Sequence, residues 1–492
     1  MDIHITIEGR RDLTGQLYRQ LRSGILDGRL PAGERLPSTR DLATQLGVSR
    51  KTTLEAFERL GAEGYLVSRP GDGTFVAEGL MRLPAKTERG QSAPSTADAS
   101  HARHKTVLPR ALPVWGAFTD ARSLPRPTDA LDADFAGGVT DKTQFPFDAW
   151  RRCVHHALRI QARGRGTYRE AAGDPDLRLA IARYLAYSRA VASDPDGVVV
   201  TQGAQQAIDL LARVMIRPGD VVAVEDPGYP PVRSCFAALG ARVADIPVDA
   251  QGLVVAKLPD DARIVYVTPS HQFPLGMPMS LERRVELLEW ARHRGALIIE
   301  DDYDGEFRFE GRPMEPLKSL DRAGLVAYVG TFSKTIFPEL RIGYCVPPAT
   351  LVDALLKVRF VTDHHSCALT QSALAQFMLG GDFAKHLRRI HKHYSARRER
   401  VLAHLHGGLS AWLDPIVPVA GIHLVALLAP PLDEARVIGA AREAGVGLHG
   451  LSMFFNKAPA RNGFLFGYGG VDADTIDRGL GRLAGVLREL TV

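Results

Sequence analysis

The sequence predicts a large α/β domain with a mostly parallel sheet and a C-terminal α+β subdomain, preceded by a small helical unit closed by a β-hairpin. Three observations carry this expectation. From about residue 114 onward, short apolar runs alternate with segments of helical periodicity, the pattern of a sheet covered by helices on both faces. Residues 12–63 show helical spacing with paired caps, followed by two alternating segments around a Pro-Gly turn. Between these regions periodicity disappears and Ala, Ser, Thr, Pro, Gly and His dominate, as in a flexible linker. The expected boundaries are 1–77, 78–113 and 114–492.

A chain of 492 residues has length for two to four domains. Its 45% hydrophobic and 24% charged residues are those of an ordinary globular protein. A net charge of +5 permits a polyanionic partner without demanding one. Cys153, Cys235, Cys345 and Cys367 lie far apart with no CxxC pair, so no metal site or disulfide framework is signalled, and a reducing cytoplasm is expected. The N-terminus has no apolar signal core. The apolar run from Ile416 to Leu432 is interrupted by Pro418, Gly421, His423, Pro430 and Pro431. It reads as buried strand, too short to span a bilayer.

In the N-terminal unit, Leu13, Leu17, Leu21, Ile25 and Leu26 recur at helical spacing until Gly28 and Pro31 end the helix. Ser38 caps a second helix that stops at Gly47, and Ser49 caps a third, Arg50 to Glu63, with Leu54, Phe57 and Leu60 expected inside. Helix, Gly-containing turn, helix is a helix-turn-helix pattern. The segments 65–68 and 73–76 then form a hairpin wing. Ser49, Arg50, Lys51, Thr52 and Thr53 place donors and cations at a helix start, where base edges and phosphates are read. Ser38, Arg40, Arg69 and Gly71 complete the expected DNA-binding set from the preceding helix and the wing. Net charge gives little help, with eleven Lys/Arg against ten Asp/Glu over residues 1–76. The stretch LPSTRDLATQLGVSRKTTLEAFERLGAEGYLVSRPGDGTFV resembles the winged-helix domain of the GntR family, which implies operator binding.

In the α/β region, strands are expected at 197–201, 221–225, 264–268, 296–301, 326–330 and 341–346, and helices at 205–215, 281–293 and 383–405. Ligands collect at the carboxyl ends of such strands. There the segment 329–344 places Lys334 after Thr331 and Ser333 and before Arg341. A lysine condenses with an aldehyde, while hydroxyls and a guanidinium hold a phosphate, the set that pyridoxal phosphate (PLP) requires. A glycine turn at Gly203 opens a helix at Ala204 and Gln205, suited to the same phosphate. Tyr229, in a Pro-Gly turn, could stack on a flat ring. Strand alternation puts Asp301 and Tyr303 on one side, to hold the pyridine nitrogen and the phenolate oxygen.

Residues from about 114 to 492 resemble the PLP-binding fold type I aminotransferases, and with the winged helix the chain resembles the MocR/GabR-type regulators. The resemblance implies Lys334 as Schiff-base lysine, Asp301, Tyr303 and Tyr229 around the ring, and Ala204, Gln205, Thr331, Ser333 and Arg341 around the phosphate. It also implies a head-to-tail homodimer. Two positions depart from the pattern. Phe273 precedes Pro274 where an asparagine is usual, with His271 or Gln272 as candidate replacements. Leu465 stands where an arginine usually holds a substrate carboxylate, and nearby Arg461 is either its substitute or a surface charge. The expected function is therefore a PLP-dependent DNA-binding transcription regulator, sensing PLP, a small amine or an amino acid through an aldimine at Lys334. A PLP-dependent aminotransferase with an appended DNA-binding domain is the alternative.

Overall fold

The computed structural model describes residues 5–7, 9, 11–78, 115, 131–311 and 315–491. The chain divides into two compact units, Met1–Leu108 and Pro109–Val492. The expected linker lies almost wholly outside the described residues.

The first unit contains helices Leu13–Leu26, Thr39–Leu46 and Arg50–Ala62, then antiparallel strands Leu66–Arg69 and Gly73–Val76. Ser38 and Ser49 accept from the backbone N–H groups of Asp41 and Thr52, and Gly47 ends the second helix at φ +64°. Leu17, Leu21, Leu42, Ala56, Phe57, Leu60 and Val76 form the core. The inward face of the third helix differs from the expectation by one position. Thr53 is buried and Leu54 is 44% exposed. With Phe57 and Leu60 fixed inside, Thr53 lies four and seven residues back on the same stripe, and Leu54 falls beside it. The Thr53 hydroxyl remains satisfied by donating to the Thr39 and Arg50 carbonyls at 2.7 and 2.9 Å.

The second unit is built on an eight-stranded sheet. Its spatial order is Val199–Thr201, Gly343–Val346, Val326–Thr331, Leu297–Asp302, Ala262–Val267, Val221–Asp226, Arg242–Asp249, Gly252–Leu253. Five neighbouring strands, from Val326–Thr331 to Arg242–Asp249, pair in parallel. Gly343–Val346 runs antiparallel to both its neighbours, and Gly252–Leu253 is an antiparallel edge. Separate apolar clusters cover the two faces, one around Ile208, Leu211 and Leu355, the other around Leu287, Ala291 and Ile298.

A smaller antiparallel sheet follows, ordered Leu413–Ile416, His423–Leu428, Gly463–Gly467, His449–Gly450. Helices Asp382–His406 and Ala473–Thr491 pack on it through Val401, Leu405, Leu480 and Leu483. The strand Ala133–Asp134 pairs in parallel with Val446–Gly447. Residues 137–139 thereby pass between the carboxyl edge of the large sheet and the strand that carries Leu465.

Candidate functional site

At that edge a cavity of about 410 Å³ is lined from both sheets. Lys334, Asp301, Tyr303, Tyr229, Ala204, Gln205, Thr331, Ser333 and Arg341 all border it. Residues distributed over more than a hundred positions of sequence thus meet at one place.

Lys334 follows the end of strand Val326–Thr331, and its Nζ donates to the Gly138 carbonyl at 3.0 Å. Gly138 sits at φ +79°, a conformation that favours glycine, and a Cβ there would stand 2.7 Å from Nζ and push the amine aside. Burial lowers the Lys334 pKa, with Asp304 and Asp301 opposing the shift. The result is a larger fraction of free, nucleophilic amine.

Asp301 ends the Leu297–Asp302 strand. Its Oδ2 accepts from the Tyr266 hydroxyl at 2.7 Å, while Oδ1 is buried and has no partner. Burial pushes the carboxyl up to about 7, with the Tyr266 hydrogen bond opposing. An unpartnered carboxylate oxygen in a cavity is costly, and a ring N–H is a group that fits it. Tyr303, two residues on, donates to the His271 carbonyl and lies 3.0 Å from His271 Nδ1. Burial raises its pKa well above the ordinary phenol value, so the hydroxyl stays a donor. Tyr229 borders the opposite side, its ring edge-on to Phe273 at 5.6 Å.

The phosphate-sized end is made of backbone and short hydroxyls. Gly203, at φ +89°, begins the helix Ala204–Met215 with no side-chain cap, which leaves amide donors for an anion. Thr331 donates to Ser333 at 3.0 Å. Arg341 donates to the Gln202 carbonyl at 2.7 Å and sits at φ +52°, left-handed for a residue with a side chain. Such strain costs about 1–3 kcal/mol and clusters at ligand sites. Behind the turn, Gln202 and Gln206 both donate to Asp363 Oδ2, at 3.0 and 2.7 Å. Asp363 pairs with Arg359, which is fully buried and donates to the Val200 carbonyl at 2.6 Å. Amide cradle, guanidinium, unpartnered carboxylate and free amine together match the functional groups of PLP.

Both departures from the family pattern can be located in the structure. Neither His271 nor Gln272 borders the cavity: the Gln272 amide donates to the Pro227 and Phe273 carbonyls at 2.8 and 2.7 Å, and His271 lies buried behind Tyr303. Phe273 itself occupies the wall. On the far side Leu465, 1% exposed, borders the cavity from strand Gly463–Gly467, whereas Arg461 is exposed and outside it. His423 and His449, which sequence spacing did not single out, also line this wall. Burial pushes His423 down to about 3 and lowers His449. Among the described lining residues the basic side chains other than these histidines are Lys334 and Arg341.

In the first unit, Ser38, Arg40, Ser49, Arg50, Lys51, Arg69 and Gly71 are exposed and Thr52 is half-buried. Arg69 lies over the Phe75 ring at 4.7 Å. Thr53 is removed from the surface-reading set, because its hydroxyl is spent inside the fold.

The raised Asp301 carboxyl has a consequence for stability. Its folded pKa lies above the ordinary 3.8, so between about pH 4 and 7 the folded cofactor-free protein holds more protons than the unfolded chain. Stability therefore falls as pH rises through that window. Asp301→Asn removes this component, and the cofactor-free variant should lose less melting temperature than wild type between about pH 5 and 8. Parallel curves would contradict an unpaired carboxyl at this position.

Residues 13–76 match the family model "Bacterial regulatory proteins, gntR family" and residues 137–438 match "Aminotransferase class I and II". The chain is 38% identical over 472 residues to the probable rhizopine catabolism regulatory protein MocR of Rhizobium meliloti, covering 95% of this chain and 92% of that protein. It is 34% identical to the pyridoxine biosynthesis transcriptional regulator PdxR of Corynebacterium glutamicum, covering 94% and 93% of the two chains. Among solved structures, kynurenine aminotransferase of Pyrococcus horikoshii, crystallised with pyridoxamine phosphate, matches with a TM-score of 0.68 and 27% identity, over 77% of this chain and 98% of that one. With a helix-turn-helix at one end and the lysine cavity in a fold type I domain at the other, the chain belongs to the MocR/GabR-type family of transcriptional regulators.

Proposed function

We propose that this regulator binds PLP at Lys334 and uses the aminotransferase-like unit as a sensor that sets the operator affinity of the winged helix. One observation carries the choice of sensing over turnover. The cavity is lined by groups suited to the ring nitrogen, ring oxygen, phosphate and aldehyde of PLP, yet its opposite wall presents Leu465 and two neutral histidines. A substrate carboxylate placed there would lack the cation that orients it for catalysis. The effector that suits this wall is a small primary amine without a carboxylate, or PLP itself. The relatives' names span rhizopine catabolism and pyridoxine biosynthesis, so the shared architecture leaves the effector open.

In this reading Asp301 Oδ1 holds the proton on the ring nitrogen, and the Tyr303 hydroxyl donates to the ring oxygen. Tyr229 covers the ring face. The amide groups at Ala204 and Gln205, with Thr331, Ser333 and Arg341, bind the phosphate. When bound, PLP supplies an aldehyde carbon that an effector amine can take over from Lys334. Lys334 then regains a free amine beside Gly138. The cavity is walled by both sheets, so an effector that fits one spacing of the sheets better than another shifts their equilibrium.

A twofold operator calls for a dimer, and we propose the head-to-tail homodimer of the family. Tyr168, 80% exposed, stacks on His364 at 4.7 Å beside exposed Phe360 and Val361, an apolar patch that a second copy would cover. A cytoplasmic location follows from the DNA target; among the described residues, no helix is long and apolar enough to cross a membrane.

Lys334→Ala should abolish the visible absorbance of bound PLP and make operator binding, followed by fluorescence anisotropy, indifferent to added PLP or amine. Retention of both responses would end the assignment. Arg50→Ala should weaken operator binding about tenfold and leave PLP uptake unchanged. Leu465→Arg should shift preference about tenfold toward amines that carry a carboxylate, read by spectral titration with matched amines and amino acids; an unchanged preference in a folded variant would show that this wall does not face the effector.

A further inference from the structure

The loop 269–276 and the strand end at 301–304 meet in a buried cluster that direct PLP contacts do not use. Asp304 is fully buried, and both its oxygens lie 3.0–3.1 Å from His271 Nδ1. Asp304 Oδ2 also accepts from the Ile422 backbone N–H at 3.2 Å. His271 Nδ1 is 3.0 Å from the Tyr303 hydroxyl oxygen, and its carbonyl accepts the Tyr303 proton at 3.0 Å. A carboxylate beside Nδ1 places the ring proton on that nitrogen, where the phenol oxygen shares it. The other ring nitrogen, Nε2, is buried without a partner, consistent with a proton-free Nε2.

The site around the ring is shaped to admit the imidazole. A Cβ at Gly421 would fall 2.0 Å from His271 Cε1, and one at Gly276 would fall 3.1 Å from Nε2. Both glycines have left-handed φ, +98° and +87°. His423 lies tilted against His271 with ring centroids 4.7 Å apart and bonds to the Pro274 carbonyl at 3.2 Å. The position before Pro274 is filled by Phe273, which has no polar atom to offer the cavity.

We propose that Asp304 and His271 form a positioning pair that fixes the Tyr303 hydroxyl at the cavity, performing from behind the tyrosine the polar role that Phe273 cannot perform beside it. In the structure the His271 carbonyl accepts the Tyr303 proton; when that proton turns to the ring oxygen, the Nδ1–H of His271 holds the phenol oxygen, and Asp304 fixes the tautomer and ring orientation while accepting from the Ile422 backbone N–H. The inference rests on PLP occupying the cavity with Tyr303 as donor. His271 touches Tyr303, the nearby carboxyls of Asp304, Asp301, Glu225 and Asp302 act on it electrostatically, and Lys334 and His423 also border the cavity.

The test is a pH titration of the visible band of PLP-loaded protein. A hydrogen bond donated to the ring oxygen favours the more anionic form, so its loss raises the midpoint. His271→Leu and Asp304→Asn should each raise the midpoint by about one pH unit, and His271→Asn, which keeps a donor near Nδ1, should restore most of the shift. Tyr303→Phe should give the same rise and make His271→Leu silent when combined with it. A midpoint unchanged by His271→Leu in protein that retains PLP would overturn the positioning role. Failure to form the visible band in wild type would instead overturn the PLP reading beneath it. The same three side chains, His271, Asp304 and His423, bring potential ligand atoms within 4.8 Å of one another. Metal analysis of the purified holoprotein should find no stoichiometric ion, and an ion bound by wild type but lost in Asp304→Asn would make the cluster a metal site and overturn the proposal.

Discussion

Lys334 and Asp301 are buried in one cavity while their hydrogen bonds go elsewhere, the amine to the Gly138 carbonyl and the carboxylate to Tyr266. Each shifts its pKa toward the neutral form because burial penalises the charge. A protein that only had to be stable would pair these groups or replace them with apolar side chains, often at no cost. The proposed PLP would resolve this arrangement, bringing a proton-bearing nitrogen to Asp301 and an electrophilic carbon to Lys334. The rest of the unit is organised to keep the two apart and fixed.

That fixing comes from the period of the strand. Along Leu297–Asp302, Asp301 faces the cavity while Glu300 and Asp302 point the other way. Glu300 accepts from the Leu317 and Lys318 backbone N–H groups at 2.8 and 2.9 Å. Asp302 pairs with buried Arg189 and accepts from Tyr328. Arg189 in turn donates to Ser270 at 2.9 Å, the residue before His271. The back of the strand is therefore tied to its neighbours by hydrogen bonds and an ion pair, although Asp302 Oδ1, like Asp301 Oδ1 at the front, is buried without a partner. Glu225 plays a similar part on the neighbouring strand, accepting from the Thr268 hydroxyl at 2.6 Å, while that hydroxyl oxygen accepts from Phe273 N–H at 2.9 Å.

Much of this was legible in the sequence because the relevant chemistry is local. A strand end followed by a glycine turn, or by alternating acid and tyrosine, carries its own geometry, so Gly203, Asp301, Tyr303 and Lys334 could be placed at strand ends before any coordinates. What spacing could not supply was which side chains converge from distant segments. His423 reaches the cavity because strand His423–Leu428 pairs with Gly463–Gly467, and Gly138 because the 133–139 segment threads between the sheets. The burial of Thr53 in place of Leu54 has a different cause: polar and apolar residues adjacent on a helix compete for one stripe, and a threonine whose hydroxyl finds two carbonyls loses nothing by winning.

The two walls of the cavity make different demands on a ligand. In the proposed reading the large-sheet wall offers a partner for the cofactor's nitrogen, oxygen, phosphate and ring face. The small-sheet wall, with Leu465, Ile422, Met453 and Phe454 around two neutral histidines, specifies little beyond size and absence of charge. An enzyme acting on amino acids needs the second wall to orient the bond being broken, since loss of orientation is paid in rate. A sensor needs only that its ligand bind one conformation better than another, and apolar contact can supply that difference. Leu465, buried on strand Gly463–Gly467 beside Val425 and Leu451, offers a ligand at this wall apolar contact and no charge.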